Sequence, residues 1–166
     1  STFIIGLPNG KRLVTDPWLG NPKCPEAFQK ADALKPADAI LTSHGHFDHI
    51  NDAVSVSRAT GAPVIGIYEL CAYLKEKGAA EARGMNVGGT QEVAGIKVTL
   101  TEAVHSSSID ENGTTRYLGL ATGFILRAPD MPTIYFAGDT SVFAGMKTIA
   151  ELYQPQIAFL PIGDHY

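Results

Sequence analysis

Alternation and short apolar runs divide the chain into strands and helices of ordinary length. Ser1 to Gly6 and Lys11 to Thr15 read as two strands joined by a turn at Pro8-Asn9-Gly10, where Asn-Gly is a strong hairpin signal. A loop rich in Pro and Gly runs from Asp16 to Pro25, and a short helix precedes Pro36. Ala37 to Thr42 is a short apolar strand, and Ile50 to Thr60 a helix closed by Gly61. Pro63 to Ile67 reads as a strand and Tyr68 to Lys77 as a helix stopped by Gly78. Glu92 to Val104 supplies two strands around Gly95, and Tyr117 to Arg127 and Thr133 to Ala137 two more, with loops that carry Gly113 and Pro129-Asp130-Met131-Pro132. Phe143 to Tyr153 is a helix, and Ile157 to Leu160 a last buried strand. Hairpins with interleaved helices predict two sheets packed between helices, a mixed α/β fold.

Composition adds limits. With 166 residues and 45% hydrophobic content the chain can bury one sizeable core, most simply as a single domain over residues 1–166. A formal charge of −4 with scattered Lys and Arg argues against a general nucleic-acid binder, which needs a basic face. No apolar run reaches the length of about 18 residues that spans a membrane. Cys24 and Cys71 lie far apart, and reduced thiols in a cytoplasmic protein are the simpler expectation than a disulfide.

The chemistry sits in one segment. His44-Gly45-His46-Phe47-Asp48-His49 holds three of the five histidines and a carboxylate, the donor types that suit zinc and related divalent ions. The segment links the Ala37–Thr42 strand to the following helix. On extended backbone, residues two apart project to one side, so His44 and His46 can grip one ion, with Gly45 leaving room between them. Asp48 and His49 follow as the chain enters the helix, where they can reach a second ion. Downstream, His105 ends an alternating run from Ile96; alone it reads equally as a hydrogen-bonded histidine at a strand end. Asp139 follows the buried strand before Gly138 and reads either as a bridge between two cations or as a cap for the next helix. Ser106, Ser107 and Ser108 read as loop residues, and Trp18, Tyr68 and Tyr73 as packing.

The His-x-His-x-Asp-His pattern resembles the metallo-β-lactamase superfamily. Thr15-Asp16-Pro17, Gly88-Gly89-Thr90, Val104-His105-Ser106-Ser107-Ser108, Phe136-Ala137-Gly138-Asp139-Thr140 and Leu160-Pro161-Ile162-Gly163-Asp164 all fall in family order, most similar to the UPF0173 metal-dependent hydrolases, relatives of ascorbate-6-phosphate lactonases. The resemblance implies an αββα four-layer sandwich. It implies a first metal site of His44, His46 and His105 and a second of Asp48, His49 and a bridging Asp139, loaded with one or two zinc ions; the same donors accept manganese, iron or nickel. Asp48 and Asp139 are the expected catalytic carboxylates. Asp16 is expected beneath the site, holding a ligand imidazole in one tautomer. The resemblance also implies a strand before Ser1, and a strand, a helix and a final ligand histidine after Tyr166, so both ends look cut. His165, a homo-oligomer or a complementing chain could fill that gap, with His165 a candidate for substrate contact as well. The expected reaction is hydrolysis of a small ester, lactone or amide by metal-activated water. A phosphodiesterase and a non-catalytic metal-binding module are the alternatives.

Overall fold

A computed structural model describes residues 2–163. Among the described residues, twelve strands and four α-helices form two five-stranded sheets and a small hairpin sheet. The first sheet begins with β1 (Phe3–Gly6) and β2 (Arg12–Thr15), an antiparallel hairpin. It continues in parallel through β3 (Ala39–Leu41), β4 (Pro63–Ile67) and β5 (Glu81–Met85). Parallel strands need long crossovers. The β2-to-β3 crossover uses two 3-10 turns, Glu26–Phe28 and Ala31–Leu34, where one short helix was expected. The next two carry α1 (Phe47–Ile50) with α2 (Ala53–Thr60), and α3 (Tyr68–Glu76).

The second sheet contains β6 (Thr90–Val93), β7 (Ile96–Glu102), β10 (Thr122–Arg127), β11 (Ile134–Phe136) and β12 (Ile157–Phe159), in spatial order β12-β11-β10-β7-β6. Between β7 and β10 the chain makes the separate hairpin β8 (Ser108–Glu111) and β9 (Thr114–Tyr117). The helix α4 (Gly145–Tyr153) carries the chain from β11 to its parallel neighbour β12.

Period-two burial shows how the layers form. Phe124 and Leu126 of β10 and Ile134 and Phe136 of β11 join the large core shared with Leu13, Ile40 and Ile65 of the first sheet. The intervening Ile125 and Tyr135, with Ala137, pack instead with Ile149 of α4. All three residues of β3 are buried, as expected of a strand covered on both faces, and Val56, Leu70 and Leu74 bring α2 and α3 into the same core. The αββα layering expected above is therefore present.

Several boundaries differ from the sequence reading. The expected helix from Ile50 begins earlier and divides at residues 51–52, which places Asp48 and His49 on a helical turn. The expected strand from Tyr117 to Arg127 breaks after Tyr117, because Gly119, at φ 85°, turns the chain from the hairpin into β10. Beta-5 and the β8–β9 hairpin stand where no strand was expected.

Candidate metal centre

Asp16, His44, His105 and Asp139 follow strand ends, while Asp48 and His49 lie on α1. Beta-2 and β3 run parallel, so Asp16 and His44 leave the first sheet at one edge. Beta-7 and β11 are each antiparallel to β10, hence parallel to one another, and bring His105 and Asp139 to a common edge of the second sheet. The edges meet at Ser43, whose carbonyl accepts hydrogen bonds from the Thr122 backbone N–H (3.0 Å) and hydroxyl (2.8 Å).

Close approach shapes the loops. A Cβ on Gly45 would lie 2.8 Å from Leu118 Cβ, so only glycine lets the histidine loop pack on this residue. Gly138 sits at φ 65°, and a Cβ there would lie 2.7 Å from the Thr122 carbonyl oxygen and 2.9 Å from Ser43 Cβ.

His44, His46 and His105 converge, with ring centroids 4.6 to 5.0 Å apart. His44 Nε2 lies 3.0 Å from His46 Nδ1. His44, His49 and Asp139 form a second group of inward-facing donor atoms. His49 Nε2 faces Asp139 Oδ2 at 3.2 Å and Asp48 Oδ2 at 3.4 Å, so the six residues singled out from sequence lie around one space. His165 lies outside the described residues.

Asp16 occupies the floor. It is fully buried at φ 42°, left-handed backbone that Asp tolerates better than most residues. Its Oδ1 accepts the Ser43 N–H at 2.7 Å; its Oδ2 accepts the Ser43 hydroxyl at 2.7 Å and meets His49 Nδ1 at 2.9 Å.

Two serines missed as site residues join them. Ser107 is buried and its hydroxyl accepts the Gly45 N–H at 3.0 Å, while the Ser106 hydroxyl lies 3.1 Å from His46 Nε2. Their position directly after His105 was the available signal. Tyr73 is buried as expected of a packing residue, whereas Tyr68 is 62% exposed.

Electrostatics divides the histidines. Burial, reinforced by the neighbouring His49 and His46, pushes His44 down to about 2; burial and His105 lower His46. Burial also disfavours charge on His49, but hydrogen bonds to Asp139 and Asp16 outweigh it and raise that ring to about 9. The hydrogen bond from His49 holds the Asp139 carboxyl well below the usual carboxylate range. His44 and His46, held neutral with converging nitrogens, and the ionised Asp139 suit a divalent cation, which His49 would join by giving up its proton.

Comparison with known proteins agrees with this geometry. Residues 11–165 match the model of the beta-lactamase superfamily domain. The chain belongs to that superfamily. Within it, the chain is 48% identical over 166 residues to the UPF0173 metal-dependent hydrolase of Solibacter usitatus and 46% identical to that of Koribacter versatilis, in each case spanning 70% of the relative's length. Igni18, a metallo hydrolase of the archaeon Ignicoccus hospitalis, superposes with a TM-score of 0.82 at 36% identity, over 99% of this chain and 68% of that one. An isothiocyanate hydrolase from Delia radicum gut bacteria shares the superfamily fold, with a TM-score of 0.67 at 21% identity over 95% of this chain and 67% of its own.

Proposed function

We propose that this metal-dependent hydrolase cleaves a small, uncharged carbonyl substrate: an ester, a lactone or an amide. The observation that carries the reading is the chemistry around the converging donors. Asp16, Asp48 and Asp139 form ion pairs with His49, and the loops 44–49, 104–108 and 138–143 contain neither lysine nor arginine. A phosphodiester would bring negative charge to this acidic cluster with no lysine or arginine on these loops to meet it. On the same loops Phe47, Val104 and Val142 are exposed, giving an apolar border suited to a neutral acyl compound.

His44, His46 and His105 would hold one ion and Asp48, His49 and Asp139 a second; zinc fits the imidazole-rich first set best. Such ions supply Lewis acidity that polarises a carbonyl and makes water a nucleophile near neutral pH. Within the chain, His44 is common to both groups of converging donors and Asp139 belongs to the second, while Asp48, the more open carboxylate, would orient the attacking water and take its proton. Asp16 and Ser107 keep the histidine loop in place through Ser43 and Gly45. The free thiols of Cys24 and Cys71 fit a cytoplasmic setting.

The test loads the protein separately with zinc, manganese, iron and nickel and assays esters, lactones, amides and phosphodiesters. Carbonyl cleavage that a chelator abolishes, with phosphodiesters intact, is expected. Phosphodiester cleavage alone would reverse the substrate assignment, and full metal occupancy without turnover on any of these would leave a binding module.

A further inference from the structure

We infer that an aromatic-walled cavity beside Asp139 receives the apolar acyl group of the substrate, a single phenyl ring or a short alkyl chain. The assignment to substrate rests on the hydrolase reading above; uptake of an apolar molecule by the cavity does not.

The cavity forms where the outer borders of the two sheets face one another. Beta-1 borders the first sheet and β12 the second. Phe3 on β1 stands opposite Thr15, the residue before Asp16, and Phe159 on β12 stands opposite Phe136, three residues before Asp139. Both borders therefore reach the edge that carries the candidate centre. Ring centroids lie 5.0 Å apart for Phe3 and Phe159, 5.8 Å for Phe3 and Phe136 and 6.2 Å for Phe136 and Phe159. With Leu160, Pro161 and Asp139 these rings line a space of about 120 Å³.

Size and wall chemistry point to an occupant. Voids larger than a water are few in a folded domain, and each forfeits dispersion contacts along its lining. An engineered cavity of about 150 Å³ walled by Leu, Ile and Phe stays dry and takes up benzene. The space beside Asp139 is slightly smaller, so one ring or a short chain fills it. Its wall is also held in place, because Phe136 is buried and its ring lies 6.3 Å from that of Phe124 in the main core. Asp139 is the one charged residue of the lining, and its Oδ2 faces His49 Nε2 at 3.2 Å. A carbonyl held at the converging donors therefore has an apolar recess next to it, across a single carboxylate. Apolar walls with one polar group at the reacting end are the usual build of a small-molecule site.

Methyl phenylacetate is the probe. Added to the metal-free protein, it should shift the NMR ring signals of Phe3 and Phe159 saturably and leave those of Phe143, packed beneath α4, in place. With the zinc-loaded protein, kcat/KM for methyl butanoate and methyl phenylacetate, each relative to its rate in alkali, should exceed that for methyl acetate at least about tenfold. Methyl dodecanoate should gain nothing over the butanoate. Leu160→Trp adds bulk at a half-exposed position of the lining and should reduce the preference for phenylacetate over acetate about fivefold or more. Should that variant fail to fold, Phe3→Ala widens the cavity from its exposed border and should extend the preference to longer chains. Unmoved Phe3 and Phe159 signals, equal rates across the acyl series, or a preference for benzyl acetate over methyl phenylacetate overturns the inference. Ester cleavage without acyl preference would leave the hydrolase reading standing. Ring shifts without cleavage of any ester would count against that reading and keep the cavity as an apolar binding site.

Discussion

Replacing Gly138 by alanine isolates how tightly the two sheets are closed around the site. At φ 65° an alanine pays about 1 kcal/mol for left-handed backbone. Its methyl would also stand 2.7 Å from the Thr122 carbonyl oxygen and 2.9 Å from Ser43 Cβ, so it must displace backbone rather than a flexible side chain. Overpacking of this kind costs roughly 1–3 kcal/mol. Together these predict a loss of about 2–4 kcal/mol, which lowers Tm by roughly 5–15 °C at about 2–4 °C per kcal/mol. Gly10→Ala is the control, since Gly10 has φ 81° and nothing within 4 Å of its would-be Cβ. It should lose only the strain, roughly 2–4 °C. Thermal melts of the metal-free proteins measure both. Because Asp139 is the next residue, Gly138→Ala should also weaken metal binding at least about tenfold in a chelator competition, while Gly10→Ala leaves it unchanged. Equal Tm losses in the two variants, or normal metal binding in Gly138→Ala, would refute the role assigned to this contact.

Other outcomes follow from the same geometry. His46→Ala should abolish both metal retention and turnover, checked by elemental analysis and assay of the loaded protein; turnover that survives would remove His46 from the centre. Burial pushes the Cys71 thiol from the ordinary 9.0 up to about 12, so in the folded protein a disulfide reagent at pH 8 should modify the half-exposed Cys24 and spare Cys71 until denaturant is added. The same raised value means that the folded form keeps a proton which the unfolded form loses. The stability from Cys71 is therefore complete below pH 9 and declines as pH climbs toward 12, a loss that denaturant titrations should find reduced in Cys71→Ala. Arg116→Ala removes ion pairs to Glu76 and Glu111 that lie in solvent, and melts should shift little.

The donors were legible because metal chemistry restricts residue type and spacing. Their supports were less so. Ser43 and Ser107 act through position, and a serine in a loop has the same letter whether it is buried against a histidine or open to water. Beta-5 escaped notice because Glu81 and Arg83 pair with each other at its exposed border and Gly84 interrupts the apolar pattern. The β8–β9 hairpin is mostly polar, with Ile109 and Tyr117 its large apolar residues, yet Asn112-Gly113, with φ values of 54° and 79°, was a turn signal in plain view. The apolar strands β3, β4, β7, β10 and β11 were found because burial there demands hydrophobic residues whatever the tertiary detail. At the division between α1 and α2 the Asp52 N–H turns to the Pro17 carbonyl at 3.1 Å, a contact distant in sequence that local pattern cannot carry.

Because His44 and His49 leave one sheet while His105 and Asp139 leave the other, an ion held among them is a rivet through both layers. It would have no complete seat in a chain whose sheets have parted, so it would favour the native form and stabilise it by mass action, by up to about 2.7 kcal/mol at a free concentration one hundred times Kd. Metal supply would then govern how long the protein survives as well as how fast it works, and an apo chain starved of metal would be the form that a cell's proteases meet.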